Sequence, residues 1–178
     1  MNLPSRVRIV EVGPRDGLQN EKQNIDLDTK LSLIKRLEES GLKNIEITGF
    51  VSPKWIPQLA DSEQLCQALE RIQHVNYSAL TPNLIGMQKA IANGIKEVAV
   101  FTAASESFTQ KNINCSIEES LQRFAAVMDL ANQHDIKVRG YVSCVLGCPY
   151  EGEIKANQVA QVTQKLFDLG CYEVSLGD

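Results

Sequence analysis

One seven-residue phrase occurs three times in this chain, each time where a helical pattern stops: Gly41-Leu42-Lys43-Asn44-Ile45-Glu46-Ile47, Gly94-Ile95-Lys96-Glu97-Val98-Ala99-Val100 and Gly170-Cys171-Tyr172-Glu173-Val174-Ser175-Leu176. The glycine can take the left-handed backbone conformation that closes a helix. The apolar residues alternating after it read as a strand. The phrase is an internal helix-to-strand repeat, and few architectures accept such a unit.

Hydrophobic periodicity extends the repeat along the whole chain. It predicts strands over Val7–Val12, Asn44–Thr48, Asn76–Leu80, Glu97–Phe101, Lys137–Cys144 and Tyr172–Leu176. Between them, Leu27, Leu31, Ile34 and Leu37 recur at helical spacing, and further helices are predicted over Glu63–Ile72, Asn83–Ala92, Ile117–Gln133 and Asn157–Leu169. Capping residues agree: Thr81 before Pro82 reads as a helix start, Ser116 with Glu119 as a capping box, and Asp61 with Gln64 as its variant.

Strand and helix alternating with short connections mean a parallel sheet, because parallel neighbours need a crossover. The remaining choice is between an open doubly wound sheet and a closed barrel. In Ile45-Glu46-Ile47 the isoleucines share one face and Glu46 takes the other, and Glu11 stands likewise between Val10 and Val12. Inward carboxylates on adjacent strands suit the upper interior of a barrel better than a sheet covered by helices on both faces. The predicted fold class is α/β, a (β/α)8 TIM barrel of which this chain supplies about six strands and five helices. Such barrels have eight strands and about 250 residues, so residues 1–178 are expected to be one catalytic barrel domain truncated at its C-terminus.

Composition removes several functional classes. A net charge of −4 without long like-charge runs provides neither a basic stripe for nucleic acid nor a polybasic segment for a membrane surface. No stretch approaches the roughly 18 apolar residues that span a bilayer, and the first residues resemble no leader, so the expected compartment is the cytoplasm. Five cysteines, an odd number, read as free thiols. Cys144 and Cys148 lack the spacing of a metal knuckle, and His74 and His134 fall at helix ends away from the expected active-site mouth.

In a barrel the loops after the strands hold the site. Arg15 and Asp16 follow the first predicted strand in Gly13-Pro14-Arg15-Asp16-Gly17, Glu46 lies late in the second, Tyr141 in the fifth, and Asp178 just beyond the sixth. Arg15 is suited to an enolate or carboxylate oxygen and Asp16 to a divalent metal. An ordinary turn with a surface ion pair fits the same dipeptide. Glu46 is the natural partner for Arg15, since a buried carboxylate without a cation is costly, although such a pair could serve structure alone.

Five phrases in order resemble the 3-hydroxy-3-methylglutaryl-CoA lyase family: Glu11 to Glu21, Phe50 to Gln58, Leu80 to Leu84, Lys111 to Ser120 and Val138 to Cys144. The resemblance implies a metal-dependent cleavage giving acetyl-CoA and acetoacetate, with Mg or Mn as cofactor, an acyl-CoA substrate and a homodimeric parent enzyme. It implies that Arg15 stabilises the enolate, Asp16 ligates the metal, Glu46 holds Arg15, and Gln19, Tyr141 and Asp178 serve the substrate shell or proton transfer. It also implies a His-x-His metal pair, an amide ligand and a catalytic cysteine from later strands and loops, which this chain does not contain. Negligible turnover is therefore expected from the 178 residues alone. Two other readings remain: a condensing synthase of the isopropylmalate or homocitrate type, whose Arg-Asp-Gly is usually preceded by Thr-Leu rather than Gly13-Pro14, and a half-barrel that only binds or assembles.

Overall fold

The computed structural model describes residues 4–178. A five-residue π-helical turn, Gly13–Gly17, opens the chain. It is followed by α1 (Leu27–Glu39), β1 (Asn44–Gly49), α2 (Ser62–Ala68), β2 (Asn76–Leu80), α3 (Leu84–Ala92) and β3 (Glu97–Ala103). Next come α4 (Glu106–Ile113), α5 (Ile117–Gln133), β4 (Lys137–Ser143), a small hairpin of β5 (Gly147–Cys148) and β6 (Gly152–Glu153), α6 (Ala156–Leu169) and β7 (Glu173–Leu176).

The main sheet is parallel, in the order β1-β2-β3-β4-β7, as a series of right-handed crossovers requires. It curls strongly. In a flat sheet β1 and β4, three strand spacings apart, would stand about 14 Å from one another, yet Tyr141 on β4 donates from its hydroxyl to Glu46 on β1 at 2.9 Å. Arg8, ahead of β1, reaches Glu173 on β7 at 2.5 Å. The fold is a partial α/β barrel.

The apolar core is the jacket between the convex face of the sheet and the helices. Ile45, Ile47, Val98, Val100, Val138 and Val142 point outward into it and meet Ile34, Met87, Phe124, Val127 and Leu166 from the helices. Each such side chain contributes roughly 1.5–3 kcal/mol by leaving water. The concave face is polar, because the residues alternating with those valines and isoleucines are Glu46, Glu97, Arg139 and Tyr141.

The helix-to-strand phrase folds as its glycines require. Gly41, Gly94 and Gly170 adopt φ of +93°, +69° and +109°, and Gly170 sits at the C-cap of α6 in the left-handed conformation. The Ser116–Glu119 capping box is formed in both directions.

Five local features differ from expectation. The segment predicted as a strand over Val7–Val12 makes one parallel bridge, Glu11 to Ile45; Val7 and Ile9 are 78% and 64% exposed, because the segment flanks β1 without a second neighbour to bury its alternation. The helix predicted to reach Ile72 ends at Ala68, since Arg71 swings away to donate to Asn93 O and Gly94 O at the end of α3. Asp61 does not cap α2; it pairs with Lys30. Asn83, not Thr81, caps α3, accepting from Gly86 N at 3.0 Å. Helix α4 was not expected; Ser105 caps it and Asn114 ends it in the left-handed conformation.

Candidate active site

The sequence-predicted residues lie in or just after the opening turn (Arg15, Asp16, Gln19), within the strands (Glu46 in β1, Tyr141 in β4) and just beyond β7 (Asp178). Pro14 enters the first turn of the π-helix and Glu11 braces it, accepting from Gly13 N at 2.6 Å. Glu11, expected as a second inward carboxylate, is thereby committed to the turn. The compact turn tucks Arg15 beneath it, with its side chain 10% exposed, and leaves Asp16 above at 55%.

Arg15 Nε donates to Glu46 Oε1 at 2.5 Å and Nη1 to Asp16 Oδ1 at 2.7 Å. The neighbours in sequence thus touch one another, although separate partners are expected of them from the sequence. Tyr141 closes the group: its hydroxyl donates to Glu46 Oε2, and its ring lies 5.8 Å from the Arg15 guanidinium carbon. Burial opposes the charge on Arg15, but Glu46 and then Asp16 outweigh it and raise the guanidinium pKa further. Burial, reinforced by Glu46, also pushes the Tyr141 phenol above its ordinary value, against a lowering by Arg139.

Gln19 and Asp178 stand apart from this trio. The Gln19 Oε1 atom is buried with no hydrogen-bond partner among the described residues, an acceptor that a ligand donor would satisfy. Asp178 is exposed beyond the end of β7 and accepts from Leu146 N and Gly147 N at 3.3 and 3.4 Å. No hydrogen bond among the described residues connects it to Arg15, Glu46 or Tyr141.

For a divalent metal, Asp16 supplies a hard oxygen ligand of the right chemistry. Its Oδ1 is shared with Arg15, and the described residues contain no group of three His, Cys, Asp or Glu side chains placed to hold an ion. Asp16 by itself is too small a ligand set for magnesium or manganese.

Beneath the trio lies a second polar layer that the sequence reading did not identify. Arg139, 1% exposed, donates from Nη2 to Glu97 Oε1 at 2.6 Å and places Nε 3.0 Å from Glu173 Oε1. That Nε makes the ion contact without a well-directed hydrogen bond. Asn76 donates to Glu97 Oε2 at 2.7 Å, and Arg8 reaches Tyr172 and Glu173. The signal was present in the repeat: Glu97 and Glu173 both occupy its fourth position, on the concave side of their strands.

A single amide joins the loops that lead into α1 and α2. Gln58 accepts from Ile25 N and donates to Gln23 O, both at 2.9 Å. Lys30, buried to 3% exposure, then holds Gln58 O and both oxygens of Asp61. All five cysteines are free and buried. In the loop after β4, Cys148 Sγ lies 3.0 Å from Ser105 Oγ. No helix is long and apolar enough to cross a membrane among the described residues.

The chain and its fold are similar to known proteins. Hydroxymethylglutaryl-CoA lyase of Pongo abelii is 59% identical over 176 residues, which cover 99% of this chain and 54% of that protein. The 3-hydroxy-3-isohexenylglutaryl-CoA/hydroxymethylglutaryl-CoA lyase of Pseudomonas aeruginosa is 57% identical over 178 residues, 59% of its length. The crystal structure of hydroxymethylglutaryl-CoA lyase from Pseudomonas aeruginosa superposes with a TM-score of 0.96 at 57% identity, covering all of this chain and 59% of that one. The chain therefore spans a little over half the length of these relatives. A family model described as HMGL-like matches residues 6–178, and with nearly every residue inside that match the chain belongs to the HMGL-like family.

Proposed function

We propose that this chain carries the enolate-stabilising part of a carbon–carbon lyase that cleaves 3-hydroxy-3-methylglutaryl-CoA to acetyl-CoA and acetoacetate. The observation that carries the reading is Arg15, held at the rim by Glu46 and Asp16 through Nε and Nη1, with no described partner on Nη2. Cleavage removes the proton of a tertiary hydroxyl and leaves an enolate on the departing thioester. A fixed guanidinium that is always protonated stabilises that oxygen more in the transition state than in the substrate, and because it is already oriented it needs no reorganisation.

The other residues fall into supporting roles. Glu46 and Tyr141 hold the guanidinium in plane. Gln19 Oε1, buried and unpartnered, would accept from the substrate. Asp178, exposed just past β7, would take or return a proton at the same rim. A divalent cation, Mg or Mn, would supply Lewis acidity to the hydroxyl and carbonyl oxygens, with Asp16 as one of its ligands. Completion of that ligand set, homodimerisation and a cytoplasmic location belong to the same proposal.

Calorimetric titration with 3-hydroxy-3-methylglutaryl-CoA tests the reading, alongside assays for acetoacetate release and for thiol release from acetyl-CoA plus a 2-oxo acid. Binding that Arg15→Met abolishes, with or without acetoacetate release, supports it. Absence of binding and turnover, or thiol release in the condensing assay alone, overturns it.

A further inference from the structure

We infer that Arg139, from the layer beneath the site, is a positioning residue: it fixes the direction of the Tyr141 hydroxyl and through it the orientation of Glu46 and Arg15. The inference deepens the proposed function and takes the Arg15 site from it.

The argument rests on donor and acceptor chemistry. A guanidinium has five N–H donors and no acceptor. Arg139 Nη1 lies 3.4 Å from the Tyr141 hydroxyl, so at that contact the phenol oxygen accepts. The single phenolic proton must then point elsewhere, and Glu46 Oε2 is 2.9 Å away. Glu46 Oε1 receives Arg15 Nε on its other side. The chain therefore has one polarity, Arg139 to Tyr141 to Glu46, with Arg15 entering from the opposite end. Turning the phenolic proton toward Arg139 would set donor against donor there and leave two acceptors facing one another at Glu46.

Arg139 is itself held firmly. It is buried to 1% exposure, with Glu97 and Glu173 as carboxylate neighbours and Tyr172 3.5 Å from Nη2. Arg139 and Tyr141 stand two residues apart on the same concave face of β4, so their spacing is set by the strand. A flexible phenol could rotate its proton toward solvent or toward a bound ligand. The buried fork above the Glu97 carboxylate prevents this. A lysine at the position could answer Glu97, but its single ammonium lacks the planar fork needed to serve Tyr141 as well.

The test uses the full chain with its tyrosines labelled with carbon-13 at the hydroxyl-bearing carbon, whose chemical shift reports hydrogen bonding. Four tyrosines give four signals, and Tyr141→Phe identifies the one in question. In Arg139→Lys, where Glu97 keeps a cation, the Tyr141 signal is expected to move more than those of Tyr77 and Tyr150, and exchange of the Arg15 Nε proton is expected to accelerate. In Glu97→Gln, which leaves Arg139 in place, the Tyr141 signal is expected to stay near its original position. An unmoved Tyr141 signal in Arg139→Lys overturns the inference, as does an equal displacement by both variants, which would mark a general loosening. If Arg139→Lys fails to fold, a double-mutant cycle of Arg139→Gln and Tyr141→Phe on unfolding free energy replaces it. Coupling sustains the inference; strict additivity or failure of these variants to fold overturns it. Because no readout needs turnover, a negative lyase assay leaves this result standing, and an unmoved signal counts against Arg139 even in an active protein.

Discussion

Arg15 and Glu46 meet at 2.5 Å between the opening turn and β1, with side chains 10% and 0% exposed. Their sequence separation of 31 residues makes this contact a product of the fold. Glu46→Gln keeps the shape and removes the charge, leaving Arg15 with the half-exposed Asp16. Breaking a buried pair from one side costs about 3–5 kcal/mol, so urea unfolding is expected to show a loss of that order. Arg15→Met added to Glu46→Gln should recover part of it, because neither charge is then buried alone.

Kinetics should separate charge from geometry at Arg15. Negligible turnover is expected of the 178 residues alone, so this comparison belongs in a parent-length lyase containing the segment. There, if the guanidinium supports the enolate, Arg15→Met is expected to lower kcat for acetoacetate release by roughly 10²–10³-fold. Arg15→Lys should fall between, since one ammonium cannot serve Glu46, Asp16 and a substrate oxygen in one plane. Equal kcat in all three proteins would remove Arg15 from the chemistry.

Alkali should destabilise this fold through its buried thiols and phenols. Burial pushes the thiols of Cys66, Cys144 and Cys171 up to about 11 from 9.0. Burial and the Glu38 carboxylate push the Tyr77 phenol up to about 12 from 10.0. These acids keep their protons longer in the folded chain than in the unfolded one. Stability from them is therefore complete below pH 9 and lost as pH rises from about 9 to 12. Melting temperatures measured across that range are expected to fall steadily, with the early part reduced in Cys171→Ala once normalised to its own value at pH 8.

The repeat glycines are not equivalent. A methyl at Gly41, where φ is +93°, would meet nothing within 4 Å, whereas one at Gly170, with φ of +109°, would come 3.0 Å from Met128 Cε. Gly41→Ala is expected to cost about 1–2 kcal/mol from backbone strain alone. Gly170→Ala should cost more, as unfolding free energies of the two variants would show.

The convex half of the molecule was legible in the sequence because alternation of two and periodicity of 3.6 are local signals. The pairing of Arg15 with Glu46 could also be anticipated, since a glutamate between two core isoleucines must turn inward and seek a cation. Arg139 escaped notice because Val138-Arg139-Gly140-Tyr141 does not reveal which distant strand lies opposite. Only the curl of the sheet brings Tyr141 to Glu46 and sets Arg139 over Glu97. Helix α4 was overlooked for another reason: its polar residues carry weak periodicity, and its boundaries are written by Ser105 and Asn114 rather than by an apolar stripe.

Both ends of the Gln58 side chain bind the same stretch, accepting from Ile25 N and donating to Gln23 O, and Lys30 holds the Gln58 backbone carbonyl. Residues 23–25 and 57–61 consequently travel as one rigid body. Any breathing of the loop between β1 and α2 must be accommodated by the short spans flanking this clasp, among them Val51–Trp55, whose indole stands 81% in solvent.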